Sequence, residues 1–311
     1  MWINKIHTGD CLDLLRQMDT NSIDCCITSP PYYNLRDYSH DGQIGLEKTP
    51  DEYIKKLVEV FSQIKRILKP EGTLWLNLGD SYSGSGSPGS WTVNKQTETF
   101  SAKYPNRKVT GLKPKDLIGI PWLAAFALRQ DGWYLRQDCI WHKPNCMPAS
   151  VKDRCTTAHE YIFLLSKSPK YYYNYEAMLE EATGYDGRKA TLMKGAKKYK
   201  DSGHTLAERG HERWRYKGQT PVRNKRSVWS INTKPFAGAH FATFPEELAL
   251  QCLTAGCPPE GTVIDPFSGA GTVAVVAKKT GRQYIGLELN PEYVEIANKR
   301  LDFPVQRRLL Q

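Results

Sequence analysis

The sequence predicts an α/β fold, a doubly wound and mostly parallel sheet of seven strands carrying one inserted region. Three observations predict it. Apolar runs of strand length alternate with amphipathic helical stripes along most of the chain. Near the carboxyl end, Val263 to Thr272 reads as a strand, a glycine-rich turn and the start of an apolar helix, and a second short strand, Gln283 to Glu288, follows. Residues 167–235 abandon this rhythm and interleave basic with aromatic side chains. The chain therefore divides into a first α/β half (1–166), an inserted basic region (167–235) and a second α/β half (236–311).

Taken in order, Trp2 to His7 is a short strand running into Thr8-Gly9-Asp10, and Cys11 to Met18 is a helix with Leu12, Leu14 and Leu15 apolar. Asp10 stands at a strand's carboxyl end, where ligands bind in open α/β sheets. It is equally placed to be a helix N-cap. Ile23 to Ile27 is a buried strand that ends in Thr28-Ser29-Pro30-Pro31-Tyr32. Residues 33–50 are a polar loop, in which Arg36 and Asp37 either order the loop over a bound ring or pair with each other. Pro50 opens a helix through Leu68, with Tyr53, Leu57, Phe61 and Ile64 on one apolar face. Lys69-Pro70-Glu71-Gly72 is a turn, and Thr73 to Leu78 is a strand ending in Gly79-Asp80, where Asp80 is either a site residue or a cap. Ser81 to Leu112 is aperiodic and reads as a long loop. Lys115 to Leu128 is a second apolar helix, and Trp133–His142 and His159–Ser166 are strands, His142 being structural. Past the inserted region, Phe244-Pro245 leads into a helix, Glu246 to Thr254. Strands then start at Val263 and Gln283, and Asn290-Pro291-Glu292 begins the closing helix.

Composition narrows the function classes. Net charge is +10, and residues 167–226 hold 15 Lys and Arg against 7 Asp and Glu, so most of the excess belongs to one segment. That is the electrostatic footprint of a polyanion partner. The 8 cysteines are scattered without metal-ligand spacing, so no metal site is expected and the thiols read as reduced. No apolar run approaches the roughly 18 residues of a membrane span. The amino-terminal residues lack a signal peptide's apolar core, and a cytoplasmic protein is expected.

Two stretches carry chemistry. In Ser29-Pro30-Pro31-Tyr32 the prolines fix φ and give up their N–H groups, leaving carbonyls free to accept. A hydroxyl, a free carbonyl and an aromatic face on a rigid turn suit a planar ring bearing an exocyclic amino group, with Tyr32 as the stacking platform. In Asp265-Pro266-Phe267-Ser268-Gly269-Ala270-Gly271-Thr272, glycines let a ligand approach the backbone at a helix N-terminus. Glu288 closes the next strand, where an acid in a nucleotide-binding sheet accepts from ribose hydroxyls. Together they predict a pocket for an adenosine-containing cofactor.

With these residues in this order, the chain resembles the β group of S-adenosylmethionine-dependent DNA amino-methyltransferases, in which the catalytic motif precedes the cofactor motif. The resemblance covers nearly the whole chain. It implies a methyltransferase (Rossmann-like) sheet, circularly permuted, with S-adenosyl-L-methionine as cofactor. It makes residues 1–166 the catalytic half, 167–235 the DNA target-recognition region and 236–311 the cofactor-binding half. It nominates Ser29, Pro30, Pro31 and Tyr32 as catalytic. Asp10, Thr243, Phe244, Asp265, Phe267, Ser268, Gly269, Gly271, Thr272 and Glu288 are nominated for the cofactor. Arg36, Lys197, Lys198, Lys200, Arg213, Arg215, Lys217, Arg223 and Arg226 are the candidate contacts to double-stranded DNA, on which Arg and Lys neutralise phosphates and Arg reads base edges. A cognate restriction endonuclease is a conceivable partner, and monomer and homodimer stay open.

The expected reaction is direct methyl transfer to an amino nitrogen of a base flipped out of the duplex. Ser29 Oγ and the Pro30 carbonyl accept the amino protons and aim the nitrogen lone pair. In this family a Ser at the first place of the motif usually accompanies N4-cytosine activity, so cytosine is expected ahead of N6-adenine. Methylation at cytosine C5 is set aside, because it needs a Cys that follows a Pro and no cysteine here does. Two further readings stand beside it. Gly269-Ala270-Gly271-Thr272-Val273-Ala274 with Glu288 downstream also fits an NAD-dependent oxidoreductase, and a DNA-binding module with a dead cofactor pocket is the non-enzymatic one.

Overall fold

The structure, a computed structural model, describes residues 2–35, 40, 42–84, 109, 111–182, 215–217, 220–234 and 244–304. The chain forms two units, Met1–Asn174 with Ser227–Gln311, and Tyr175–Arg226. In the larger unit, strands β1 (Lys5–Thr8), β2 (Ile23–Thr28), β3 (Leu68–Leu78), β4 (Tyr134–His142) and β5 (His159–Ser166) are formed by the first half of the chain. Strands β9 (Val228–Ser230), β10 (Thr262–Asp265) and β11 (Gln283–Glu288) complete the sheet. Their order is β1-β11-β10-β2-β3-β5-β4-β9. Only β5 runs against its neighbours, β3 and β4; the other pairings are parallel.

The α/β sheet predicted from sequence is thus present, with one strand more than the seven expected. The added strand is β9, whose three residues pair with Ile140, Trp141 and His142 of β4. A run that short carries no alternation to read. It also falls in the segment assigned to the inserted region.

The turn expected at Lys69 to Gly72 lies inside β3. Ile23 pairs with Leu68 and Cys25 with Thr73, so the intervening residues of β3 bulge out of the ladder. A Cβ at Gly72 would sit 2.9 Å from Leu68 Cβ and from the Lys69 carbonyl, which is why the bulge holds a glycine.

Helices cover the sheet because each has one apolar face. Helix α1 (Cys11–Arg16) is capped by Asp10, and α2 (Pro50–Ile67) by Thr49, whose hydroxyl accepts from Glu52 N at 3.2 Å. Pro50 sits in the first turn of α2, where its missing N–H costs nothing. Tyr53, Leu57, Phe61 and Ile64 are fully buried. Each such side chain contributes about 1.5–3 kcal/mol over an exposed one. Helix α3 (Ile120–Gln130) starts at Gly119, whose φ is 82°. Asp80 accepts from Gly119 N at 3.0 Å and from Ile120 N at 3.1 Å, so it caps α3, one of the two roles its sequence position allowed.

The second half adds α4 (Glu246–Gly256), α5 (Thr272–Lys279) and α6 (Pro291–Leu301). A Cβ at Gly256 would fall 2.1 Å from Trp75 Nε1, so the end of α4 can pack on β3 only as glycine. None of the helices among the described residues is long and apolar enough to cross a membrane.

The smaller unit contains an antiparallel sheet in the order β6 (Leu179–Glu181), β8 (Thr220–Asn224), β7 (Arg215–Lys217). Arg215 and Lys217 lie on β7. Arg223 and Arg226 are both paired with Glu180 Oε1, at 2.9 and 3.0 Å. Arg226 keeps 67% of its side-chain surface exposed, whereas Arg223 keeps 31%. Of the two, Arg226 is the one with more surface open to a phosphate. Arg36, Lys197, Lys198, Lys200, Arg213 and Thr243 lie outside the described residues.

Candidate active site

Parallel neighbours end at the same edge of a sheet, so the two chemistry-bearing stretches meet although 237 positions separate them. Thr28, the last residue of β2, donates through Oγ1 to Asp265 Oδ1 of β10 at 2.6 Å. One cavity of about 380 Å³ opens at this edge. It is lined by Asp10, Ser29, Pro30, Pro31, Tyr32, Phe244, Asp265, Phe267, Ser268, Gly269, Thr272 and Glu288, twelve residues named from sequence.

One end of the cavity is a cradle of acceptors. Glu288 takes backbone N–H groups on both oxygens, from Gly269 at 2.7 Å and from Asn290 at 2.9 Å. The carboxylate is thereby held, with further lone pairs left to receive hydroxyl groups. Asp10 Oδ1 accepts from Leu12 N at 2.9 Å and Asp13 N at 3.1 Å while also lining the cavity, so cap and site residue are one side chain. Asp265 additionally accepts from Phe267 N at 3.0 Å. Burial nevertheless pushes its carboxyl up to about 7, and the nearby Glu288 adds to this. Burial likewise raises Glu288. A cation would relieve both carboxyls. Ser268 Oγ is buried without a partner among the described residues. A set of carboxyl groups that a cation would hold ionised, beside the aromatic Phe267 and a glycine-rich turn, fits a ribose-bearing, positively charged cofactor.

Among the described residues predicted for the cofactor, Gly271 is the exception, because it does not line the cavity. Its φ is 74° at the start of α5, and a Cβ there would stand 2.8 Å from Ala297 Cβ on α6. Its glycine character serves the turn and the packing of two helices.

The other end holds the elbow. The Pro31 carbonyl is taken by Tyr53 Oη at 2.9 Å, whereas the Pro30 carbonyl receives no hydrogen bond among the described residues and stays open to accept. Tyr32 does more than present a ring. Its hydroxyl donates to Glu160 Oε2 at 2.6 Å, and Ser29 Oγ lies 3.3 Å from that hydroxyl. Asn77 Nδ2 reaches Glu160 Oε2 at 3.0 Å, and Lys143 Nζ is paired with Glu160 Oε1. Lys143 Nζ also sits 4.4 Å from the centre of the Trp141 ring. At Gly79, a Cβ would come within 2.6 Å of Tyr32 Cε2, so the glycine leaves room for the ring.

Asn77, Lys143 and Glu160 all line the cavity, and sequence reading missed them. Because β5 is antiparallel, its amino end, carrying Glu160, comes to the active edge. His142 bonds Ser230 Oγ at 3.0 Å and holds β9 to β4, as a structural histidine does.

Comparisons with known proteins show the family. A family model described as DNA methylase, N6_N4_Mtase, matches residues 23–299. The type II methyltransferase M.Cfr9I of Citrobacter freundii is 49% identical over 296 residues, covering 95% of this chain and 87% of that relative. M.SmaI of Serratia marcescens is 44% identical over 298 residues, covering 96% and 90%. Among solved structures, the PvuII DNA methyltransferase (cytosine-N4-specific) superposes with a TM-score of 0.63 at 18% identity, over 98% of this chain and 87% of that one. TTHA0409 of Thermus thermophilus, complexed with S-adenosyl-L-methionine, gives 0.57 at 22% identity, over 95% and 92%. These likenesses exclude the dinucleotide oxidoreductase that the glycine pattern also allowed. The chain belongs to the N6/N4 family of DNA methylases.

Proposed function

We propose that the protein is a site-specific type II DNA methyltransferase that transfers a methyl group from S-adenosylmethionine to the exocyclic N4 of a flipped-out cytosine. The observation that carries this reading is the sharing of one cavity by the open acceptors of Ser29 and Pro30 and the carboxylate cradle of Asp10, Asp265 and Glu288. S-adenosylmethionine supplies an electrophilic methyl on a cationic sulfur. Glu288 would hold its ribose and Asp10 its adenine side, Asp265 would supply a carboxylate to its positive charge, and Phe244 and Phe267 would be apolar walls. Ser29 Oγ and the Pro30 carbonyl accept hydrogen bonds from the two N–H groups of the target amino group, which turns its lone pair toward the methyl. The base must leave the duplex to enter, and Tyr32 is its stacking surface.

Ser29 supports cytosine over adenine, as does the N4-cytosine specificity in the name of the PvuII structural neighbour. The N6-adenine alternative keeps every other role. The type II relatives support a restriction-modification setting and a cognate endonuclease. The unit Tyr175–Arg226 is our candidate for target recognition, with Arg226 among its phosphate contacts. The chain order is read as circularly permuted, since the interior strand β10, which carries the glycine turn, comes late in the sequence.

The test is methylation of mixed-sequence DNA with labelled S-adenosylmethionine, then digestion to nucleosides and mass spectrometry. N4-methylcytosine is the expected product. N6-methyladenine would reassign the base, and failure to bind the cofactor would overturn the reading.

A further inference from the structure

Behind Ser29 lies a chain of hydrogen bonds whose direction is fixed from its far end. Glu160, paired with Lys143, is a carboxylate and can only accept. Tyr32 has one proton, and its 2.6 Å contact to Glu160 Oε2 is the short, charge-assisted one. The competing acceptor, Asn77 Oδ1, is at 3.2 Å. That amide cannot be flipped to change the assignment, because Asn77 Nδ2 donates to the Tyr161 carbonyl at 3.1 Å and to Glu160 at 3.0 Å, and neither can donate in return. With its proton committed to Glu160, the Tyr32 oxygen can only accept from Ser29, 3.3 Å away. Burial and the neighbouring Glu160 both raise the Tyr32 phenol, which keeps the proton on it.

The consequence falls on the reacting group. A target amino nitrogen presents N–H donors, and a Ser29 hydroxyl free to rotate would point its own proton at them for part of the time. We infer that Glu160 is a positioning residue that acts through Tyr32 to turn the Ser29 hydroxyl proton away from the cavity, so that Ser29 Oγ meets the target amino group as an acceptor. This rests on the amino-methyltransferase reading and deepens it. Tyr32 thereby has a second role besides stacking, carried by its hydroxyl and separable from its ring.

Tyr32→Phe keeps the ring and breaks the chain, and Glu160→Gln replaces the carboxylate. Because Glu160→Gln alone leaves Lys143 without its counter-charge, the paired variant Lys143→Met/Glu160→Gln serves where the single one fails to fold. Tyr32→Phe and a Glu160 variant are each expected to lower single-turnover kcat about 10- to 100-fold, with KM for DNA and for S-adenosylmethionine within about twofold of wild type. The decisive readout is a double-mutant cycle with Ser29→Ala. If Glu160 works through Ser29, its replacement costs nothing further once the hydroxyl is gone. Additive losses, or wild-type kcat in Tyr32→Phe, would overturn the inference while wild-type methylation still stood. A wild-type enzyme that methylates no base would instead remove the reading beneath it.

Discussion

The two ends of the cavity are built differently. In the cofactor cradle, Asp10, Asp265 and Glu288 close or follow parallel strands, and each accepts from a backbone N–H two residues on, Glu288 from a second across the glycine turn, with one side-chain bond, from Thr28 Oγ1, reaching Asp265 from the neighbouring strand. At the base end, Ser29, Tyr32, Asn77, Lys143 and Glu160 come from four places in the chain and bond one another side chain to side chain. The cradle is a local device repeated along an edge. The base end is a single nonlocal network, and such networks are felt as a unit when one member is removed.

The difference predicts a clean split in mutant behaviour. Ser29→Ala removes an acceptor that matters most as the amino group reacts, so kcat should fall about 10²- to 10³-fold with cofactor affinity unchanged. A comparable loss of cofactor affinity, read by calorimetry, would break the separation of the two ends. Glu288→Ala should do the reverse. Losing charged hydrogen bonds worth about 1.5–3 kcal/mol should weaken S-adenosylmethionine binding roughly 10- to 100-fold, with kcat at saturating cofactor little changed. The same titration decides it.

The contrast also explains what was legible in the sequence. The cradle could be read because a strand, a glycine turn and an acid at the next strand end follow each other in order. Ser29 and its prolines could be read because the elbow is contiguous. Glu160 could not, since nothing local says that β5 runs antiparallel and brings its first residues, not its last, to the active edge. Lys143 and Asn77 were hidden for the related reason that their partner was unknown. β9 was missed because its pairing with β4, not its own three residues, makes it a strand. At Asp80 the sequence allowed two roles, and the hydrogen bonds to Gly119 and Ile120 identify the cap.

Gly271 sharpens the comparison from inside the cradle. It belongs to the glycine turn yet faces α6 and not the cavity. Gly271→Ala should therefore cost stability, about 1–3 kcal/mol from the positive φ and the contact with Ala297. Cofactor affinity per folded molecule should stay near wild type. Denaturant unfolding beside the binding titration tests it, and unaltered stability with lost affinity would return Gly271 to the ligand.

The smallest effect concerns pH, because in the cradle burial pushes the Asp265 carboxyl up to about 7. Asp265 titrates near 7 because it is buried, against roughly 3.9 for an exposed aspartate. Between those values the folded protein holds a proton that the unfolded chain has released. The stability this contributes is fully present below about pH 4 and is lost as pH rises through 7. The melting temperature of the free enzyme, measured relative to Asp265→Asn, should fall between pH 5 and pH 8. A positively charged cofactor favours the ionised carboxylate, so binding expels the proton. Affinity for S-adenosylmethionine should therefore rise severalfold from pH 6 to pH 8, and the rise should vanish in Asp265→Asn. A flat affinity over that range in the wild type would mean that Asp265 does not face the cofactor's charge. The cradle would then orient its ligand through Asp10 and Glu288 alone.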